Sequence, residues 1–438
     1  MQPDILKVEK PFVSFPFVTK LNLNYYNETY IRFNYLVIRK MSKSQKRERR
    51  YDLDWLKVIA IILLLYFHAG MVFISWSWYF IQDSVSDPFL DIFTEFLSHW
   101  RMPLLFVISG AGTLFAFGYR NGFQYFRERS SRLLIPLAFG MFILIPHQQY
   151  FELIKQGWEF SSYLDFKQRF LNPSEGKIYG LGILGNFSWH HLWFIGYLFI
   201  YSVIGIPLFT FFRSENGKNL LKIITDFLVP VFRINLLVIP LVIAQILLRD
   251  KFSGFHNLVD DGANFVYFFI FFCYGYLICS SEKLWESLKD QRLTSLILAI
   301  TFTVIHIFTK NNDNTSSAYF IYWITETLLA WFWVLSILGY GRRYLNVKSK
   351  LLSYATEGIY PLYIIHQSVL IVVAFYVIQL DQPVLIKFMI IGNTTLLGSL
   401  AIYEFIIRRF NFLRVLFGMK LIKKEKAGEI KLIEQSSG

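Results

Sequence analysis

The sequence predicts an all-α, polytopic membrane protein with about ten transmembrane helices and both termini cytoplasmic. Three observations carry that expectation. First, the 438 residues are 54% hydrophobic and 19% aromatic, with a mean hydropathy of +0.41, and a soluble domain of this size does not combine that composition with long uncharged runs. Second, ten apolar runs recur, at roughly 53–81, 99–119, 132–153, 191–212, 228–248, 263–280, 293–309, 318–341, 355–379 and 384–407. Each can supply the ~20 residues that cross ~30 Å of hydrocarbon, although the seventh is short. None alternates apolar with polar residues as a barrel strand does, so the runs read as helices. Third, the basic residues gather on one side of a ten-helix arrangement: Lys43 to Arg50, Arg120 to Arg132, Arg213 to Lys222, Lys283 to Arg292, Arg342 to Lys350 and Arg408 to Lys426. Asp83, Asp87, Asp91, Glu95, Asp260, Asp261, Asp313 and Asp381 fall on the other. The positive-inside rule then makes the basic side cytoplasmic. These anchors facing a lipid bilayer explain the net charge of +13, and no nucleic-acid partner is needed.

Along the chain, residues 1–50 read as a cytoplasmic arm, 51–410 as the transmembrane domain and 411–438 as a basic cytoplasmic tail. The aromatics of residues 1–40 are interrupted by Lys7, Lys10, Lys20 and Arg32 too often for a span, and their order does not fit a cleavable signal peptide. Met41 opens a short basic stretch ahead of the first run, so residues 1–40 are expected to be an over-long start or a loose arm.

The first run holds the most informative residue, His68, with Lys57 eleven positions before it. Eleven residues are nearly a whole number of helical turns, so the two share a face, about 16 Å apart along the axis. Hydrocarbon tolerates an ionisable imidazole poorly, so His68 predicts a polar cavity, and intramembrane ionisable groups mark function more often than packing. The second helix is expected to open at its outer end with His99-Trp-Arg101-Met-Pro103. The basic loop that follows holds Arg127, Arg129 and Arg132. Guanidinium forks match phosphate oxygens, so these three are the candidates to hold a multiply phosphorylated ligand.

The outer loop from about His147 to Trp189 carries Pro173, Gly176, Gly180, Gly182 and Gly185, and loops of that length are more often functional or lid-like than idle. The fourth helix opens with Trp189-His-His191-Leu-Trp193-Phe194. Adjacent histidines point apart on a helix and make no metal site, whereas indoles, imidazoles and a guanidinium at an outer mouth suit a carbohydrate. Arg101, His191, Trp193 and Glu326, the last near the outer end of the eighth run, are therefore the candidate acceptor contacts. Cys273 and Cys279 are the only cysteines, six apart on one helix; neither a disulfide nor a thiolate metal site is expected, and no metal site of any kind is predicted.

The ninth run contains Tyr360-Pro-Leu-Tyr-Ile-Ile-His366. Counted from the inner ends of their helices, His366 and His68 lie at similar depth and are able to line one cavity. Glu404 is expected to pair with Arg408 one turn later. Signatures of several other classes are absent: no phosphate-binding P-loop, dinucleotide fingerprint, His-Glu-x-x-His zinc motif or Gly-x-Ser-x-Gly elbow occurs.

Taken together, these residues resemble the family-3 membrane acyltransferases, a large bacterial group that O-acylates extracytoplasmic glycans and lipids. The matching features are Leu53-Asp-Trp-Leu-Lys57 with His68 eleven residues on, and Arg129 with Arg132 entering helix three. Lys57 stands where Arg is commoner, which keeps the charge but loses the planar fork. Arg101-Met-Pro-Leu-Leu-Phe-Val-Ile-Ser-Gly110, Leu192-Trp-Phe194, Tyr360-Pro-Leu-Tyr-Ile-Ile-His-Gln367 and Arg408-Arg-Phe-Asn-Phe-Leu-Arg-Val-Leu-Phe-Gly418 resemble the glucan biosynthesis protein C branch of that family. The resemblance spans residues 50 to 420. It implies a multi-pass protein of the bacterial cytoplasmic membrane, no permanently bound cofactor, acyl-coenzyme A as co-substrate, and acetyl or succinyl transfer to a glycan, such as a periplasmic glucan. Under it, Arg129 and Arg132 hold the donor, with Arg127 beside them as a further candidate, and Lys57 holds the donor or stabilises developing negative charge. His68 is catalytic, either as general base on the acceptor hydroxyl or as brief carrier of the acyl group, with His366 the second catalytic candidate by its depth. A transporter or flippase for a glycan or lipid-linked glycan is the rival reading, weakened by the lack of paired broken helices in two halves.

Overall fold

The computed structural model describes residues 49–76, 79–172, 187–254, 256–310 and 316–422. The sequence-based expectations for residues 1–48, for the glycine-rich stretch 173–186 and for the tail beyond Ile422 lie outside the described residues. The helical bundle belongs to the unit Tyr51–Gly438.

Its regular elements are helices. They are α1 (Tyr51–Gly70, ending in the 3-10 turn Met71–Phe73), α2 (Pro88–Phe117) and α3 (Gly122–Lys155, with π-helical turns at Ser130–Leu134 and Gly140–Leu144). Next come α4 (Tyr163–Leu171), α5 (Trp193–Phe211, after the 3-10 turn His190–Leu192), α6 (Glu215–Leu228) and α7 (Val238–Leu248, after the 3-10 turn Arg233–Leu237). The remainder are α8 (Gly262–Ser280), α9 (Glu282–Asp290), α10 (Arg292–Lys310), α11 (Ser316–Tyr344), α12 (Lys350–Val377), α13 (Val384–Ile402, ending in the π turn Tyr403–Ile407) and α14 (Asn411–Leu416). Among the described residues nine segments are long and apolar enough to cross a membrane, and a tenth forms if the bent pair Glu215–Leu228 and Arg233–Leu248 counts as one. The protein is a multi-pass membrane protein.

Four sequence-based boundaries are corrected. The fifth run, 228–248, is not one straight helix: the chain bends by 119° between α6 and the segment from Arg233. Pro230 removes a backbone donor there and Phe232 is left-handed, with φ of 70°. The first run stops being helical at Phe73, so His68 sits in the last turn of α1 rather than mid-run. The second helix begins three turns earlier than expected. Asp87 accepts from the backbone N–H groups of Phe89 and Leu90, and Pro88 occupies the first helical position, a start signal written in the sequence. Finally, the segment read as an outer loop from His147 is helical through Lys155, and residues 163–171 form α4.

Packing sorts the helices into centre and rim. The spans of α2 and α12 are 78% and 72% buried, whereas that of α10 is only 17% buried and faces outward. α2 packs tightly on α8 because both offer glycine at the crossing. A Cβ on Gly110 would meet the Phe272 carbonyl oxygen at 1.8 Å, and one on Gly275 would meet that of Val107 at 1.9 Å. Small residues that let backbones meet are how helices associate where lipid removes the hydrophobic drive. The basic connections cluster at one end, where Arg342 meets Glu282 and Glu286, and Arg414 meets Glu357. At the opposite end lie the segments 79–87 and 256–261, tied by Lys387 to Asp83 at 2.9 Å and by Trp189 Nε1 donating to the His256 carbonyl at 2.7 Å.

Candidate active site

The two helices that carry His68 and His366 pack against one another, and the rings lie 5.5 Å apart, centroid to centroid. His191, from the 3-10 turn ahead of α5, stands edge-on to His366 at 5.4 Å. Each ring has neighbours that fix its orientation. His366 Nδ1 lies 2.7 Å from the Tyr363 carbonyl oxygen, so it donates there and Nε2 keeps its lone pair. His191 Nε2 lies 3.1 Å from the Ile364 carbonyl oxygen, and by the same reasoning Nδ1 is its basic nitrogen. The Tyr363 hydroxyl donates to the His191 carbonyl at 2.6 Å and locks α5 to α12. His68 stacks on Tyr79 at 6.0 Å, and Gln367 Nε2 reaches the Tyr79 hydroxyl at 2.7 Å. His68 Nδ1, His191 Nδ1 and His366 Nε2 are buried with no hydrogen-bond partner among the described residues.

A cavity of about 1150 Å³ borders this cluster. His68, His191 and Arg101 form part of its wall, while His366 lies one layer behind them. Towards the end away from the basic connections the lining becomes aromatic, with Trp76, Trp189, Tyr319, Tyr322 and Trp323. A polar interior with an indole-rich approach is the surface on which a sugar can stack and hydrogen-bond.

Arg101 is not at the outer mouth. It lies thirteen residues into α2, about 20 Å from its start. It is 4% exposed, with its guanidinium carbon 3.8 Å from the Phe67 ring centroid. Nε and Nη1 have no hydrogen-bond partner among the described residues. A buried cation over a phenylalanine face gains a modest cation–π attraction, far less than it lost in hydration.

Trp193 borders the cavity, but one of its faces is covered by His256, stacked at 3.5 Å and 8°. Burial and the nearby Arg249 push His256 well below the ordinary histidine value, so it packs there as a neutral ring. Glu326 also borders the cavity. It is held by His99, whose Nδ1 lies 2.7 Å from its carboxylate, and faces His306 at 3.3 Å.

Lys57 is not gathered into the histidine cluster. It lies about 16 Å back along α1, 3.9 Å from Asp54 towards the basic end. Arg127, Arg129 and Arg132 are all at that end, but their neighbours differ. Arg127 is exposed. Arg129 lies over the Tyr125 ring at 5.0 Å and reaches Thr113 Oγ1 at 3.4 Å. Arg132 lies 3.5 Å from Glu128, which also binds Arg120. The π turn Ser130–Leu134 rotates Arg132 relative to Arg129, so the two are not presented as a simple i, i+3 pair.

Sequence reasoning gave no role to Tyr79, Tyr363, Gln367, Arg249 or His306. Tyr363 and Gln367 flank His366 in a quoted motif and were within reach; Arg249 and His306 become notable only through their partners on other helices.

A protein-family model described as an acyltransferase domain matches residues 50–404, most of the chain. Glucans biosynthesis protein C from Salmonella paratyphi B, Salmonella dublin and Salmonella enteritidis PT4 is 23% identical over 398 residues, covering 87% of this chain and 98% of each relative. No solved structure matches the chain. The histidine-lined cavity inside the bundle, the order of the motifs and the family match over residues 50–404 agree: this chain belongs to the family-3 membrane acyltransferases.

Proposed function

We propose that this acyltransferase moves an acyl group, acetyl or succinyl, from acyl-coenzyme A at the basic, cytoplasmic end to a hydroxyl of an extracytoplasmic glycan, in the cytoplasmic membrane of a bacterium. The observation that carries the reading is the cavity itself. Its wall holds His68, His191 and Arg101, two of whose nitrogens have no hydrogen-bond partner among the described residues, and its far side is lined by indoles and phenols. The 23%-identical relatives, whose name speaks of glucan biosynthesis, support a glucan acceptor.

In this reading His68 takes the proton from the acceptor hydroxyl as its oxygen attacks the thioester carbonyl. Arg101 offers N–H donors to the negative charge that develops on that carbonyl oxygen. The carbon–sulfur bond then breaks, and the departing thiolate recovers the proton from the His68 imidazolium. His366, one layer behind and hydrogen-bonded to its own backbone, positions His68 rather than touching substrate. Arg127, Arg129 and Arg132 bind the phosphates of the donor, with Lys57 between that end and the histidines.

The test is transfer of label from radioactive acetyl- and succinyl-coenzyme A in membranes carrying the wild type or His68→Ala. Loss of general base catalysis lowers glycan labelling by about 10²–10⁴-fold. Equal labelling by both would remove His68 from the chemistry. No labelling by folded wild type, together with no coenzyme A binding, would favour the glycan transporter instead.

A further inference from the structure

His99 on α2, His306 on α10 and Glu326 on α11 each offer a ligand atom, and these atoms all lie within 4.8 Å of one another. We propose that the three residues form a divalent-cation site of the zinc class, set in the cavity wall away from the histidine cluster.

The proton positions decide which nitrogens face the carboxylate. The Thr325 hydroxyl has one proton, and it lies 2.9 Å from the carbonyl oxygens of both Ile321 and Tyr322, one turn back on its own helix. With that proton committed to the backbone, Thr325 Oγ1 can only accept from His306 Nδ1, 3.0 Å away. The His306 proton therefore sits on Nδ1, and Nε2 turns a lone pair towards Glu326 Oε2 at 3.3 Å. A lone pair facing a carboxylate oxygen is repulsive unless a cation joins them.

His99 completes the set from the other side. Its Nδ1 is 2.7 Å from both Glu326 oxygens, and its ring stands at 81° to that of His306, centroids 5.2 Å apart. Two imidazole nitrogens and one carboxylate are the donor set of open zinc sites, whereas magnesium and calcium prefer oxygen cages. Tetrahedral zinc with bonds of about 2.0–2.1 Å separates its ligand atoms by about 3.3 Å. The His306–Glu326 distance already equals that separation; the His99–Glu326 distance is shorter and must lengthen by roughly half an ångström on binding. The Thr325 contact serves as the outer support that fixes a ligating imidazole. His99 and Glu326 border the cavity, so the remaining coordination positions open onto the space where an acceptor sugar would lie. A hydroxyl or water bound there would be held and polarised by the cation.

The experiment is metal analysis of the full-length, tag-free protein in detergent, equilibrated with Zn²⁺ or Mg²⁺, desalted and measured by inductively coupled plasma mass spectrometry. One zinc per chain in the wild type, reduced at least tenfold in His306→Ala and Glu326→Gln, with no retained magnesium, is the expected result. Zinc should also raise the melting temperature of the wild type but not of Glu326→Gln, whose amide preserves the side-chain shape should His306→Ala fold poorly. Wild type without stoichiometric zinc, or variants that hold as much as wild type, would overturn the site and leave a proton on His306 as the bridging cation. Metal content is read without acyl transfer, so this outcome is separate from that of the donor experiment.

Discussion

The arginines at the basic end and the arginine in the cavity wall are the same side chain under opposite conditions. Arg342 lies against Glu282, Glu286 and Asp52, and Arg414 and Arg408 lie against Glu357 and Glu404. Arg101 is more deeply buried than these arginines, yet it has a phenylalanine ring for a neighbour and two nitrogens without a hydrogen-bond partner among the described residues. Breaking a buried ion pair costs about 3–5 kcal/mol because a charge is left uncompensated, so paired arginines hold the structure. An uncompensated cation already bears that cost. In the proposed function a bound substrate makes use of that charge.

The sharpest way to break the comparison is Arg101→Met. If the cation serves the reaction, transfer falls by about 10²–10³-fold, the scale of losing an oxyanion donor, while the melting temperature stays level or rises. A fall in melting temperature with activity per folded molecule unchanged would instead make Arg101 a structural residue.

Arg342→Met should show the converse. Asp52 is fully buried, with Trp285 Nε1 donating to it at 3.2 Å, and Glu286 loses its strongest partner outside its own helix. Stability should fall by about 3 kcal/mol, read by thermal or denaturant melting, and specific activity of the surviving protein should be preserved. Unchanged melting would show that the basic end does not hold the bundle.

The smallest effect is expected at the opposite end, where Lys387 ties down the segment that carries Tyr79. Burial of Asp83 works against its charge. The Lys387 hydrogen bond, the Val85 N–H and the Lys387 charge outweigh that and hold the carboxyl below its ordinary value. A carboxyl lowered on folding contributes stability above its unfolded value, near ~3.9, and loses it as pH falls through the folded value. Wild type should therefore lose melting temperature below about pH 4, and Lys387→Met should lose less over the same range. Parallel curves for the two would detach Asp83 from the acid sensitivity.

The sequence was informative wherever a cost is paid within one segment. Runs without charge located nine helices and part of a tenth, and an imidazole in a hydrocarbon run singled out His68 and His366. Their equal depth, counted from helix ends, allowed them to line one cavity but could not show that they meet; in the structure the rings lie 5.5 Å apart and only His68 borders the cavity. The start of α2 was also legible in Asp87-Pro88, although the apolar pattern alone placed it later and so put Arg101 at a mouth it does not occupy. The bend at Pro230 and Phe232 was less visible, because the residues around it are apolar enough to continue a span.

What the amino-acid order determined by itself was which segments enter the membrane and which polar side chains go with them, since both follow from the cost of taking charge and backbone out of water. Helical periodicity also fixed which residues share a face. It did not fix which helix that face would meet. His99 and Glu326 are 227 positions apart, and His191 and Tyr363 are 172 apart. Only the close approach of particular helices placed Tyr363 under His191, Arg101 over Phe67, and three ligand atoms from α2, α10 and α11 within reach of one ion. Packing between helices joins residues without regard to their separation along the chain, and so the chemistry of this cavity belongs to the tertiary structure.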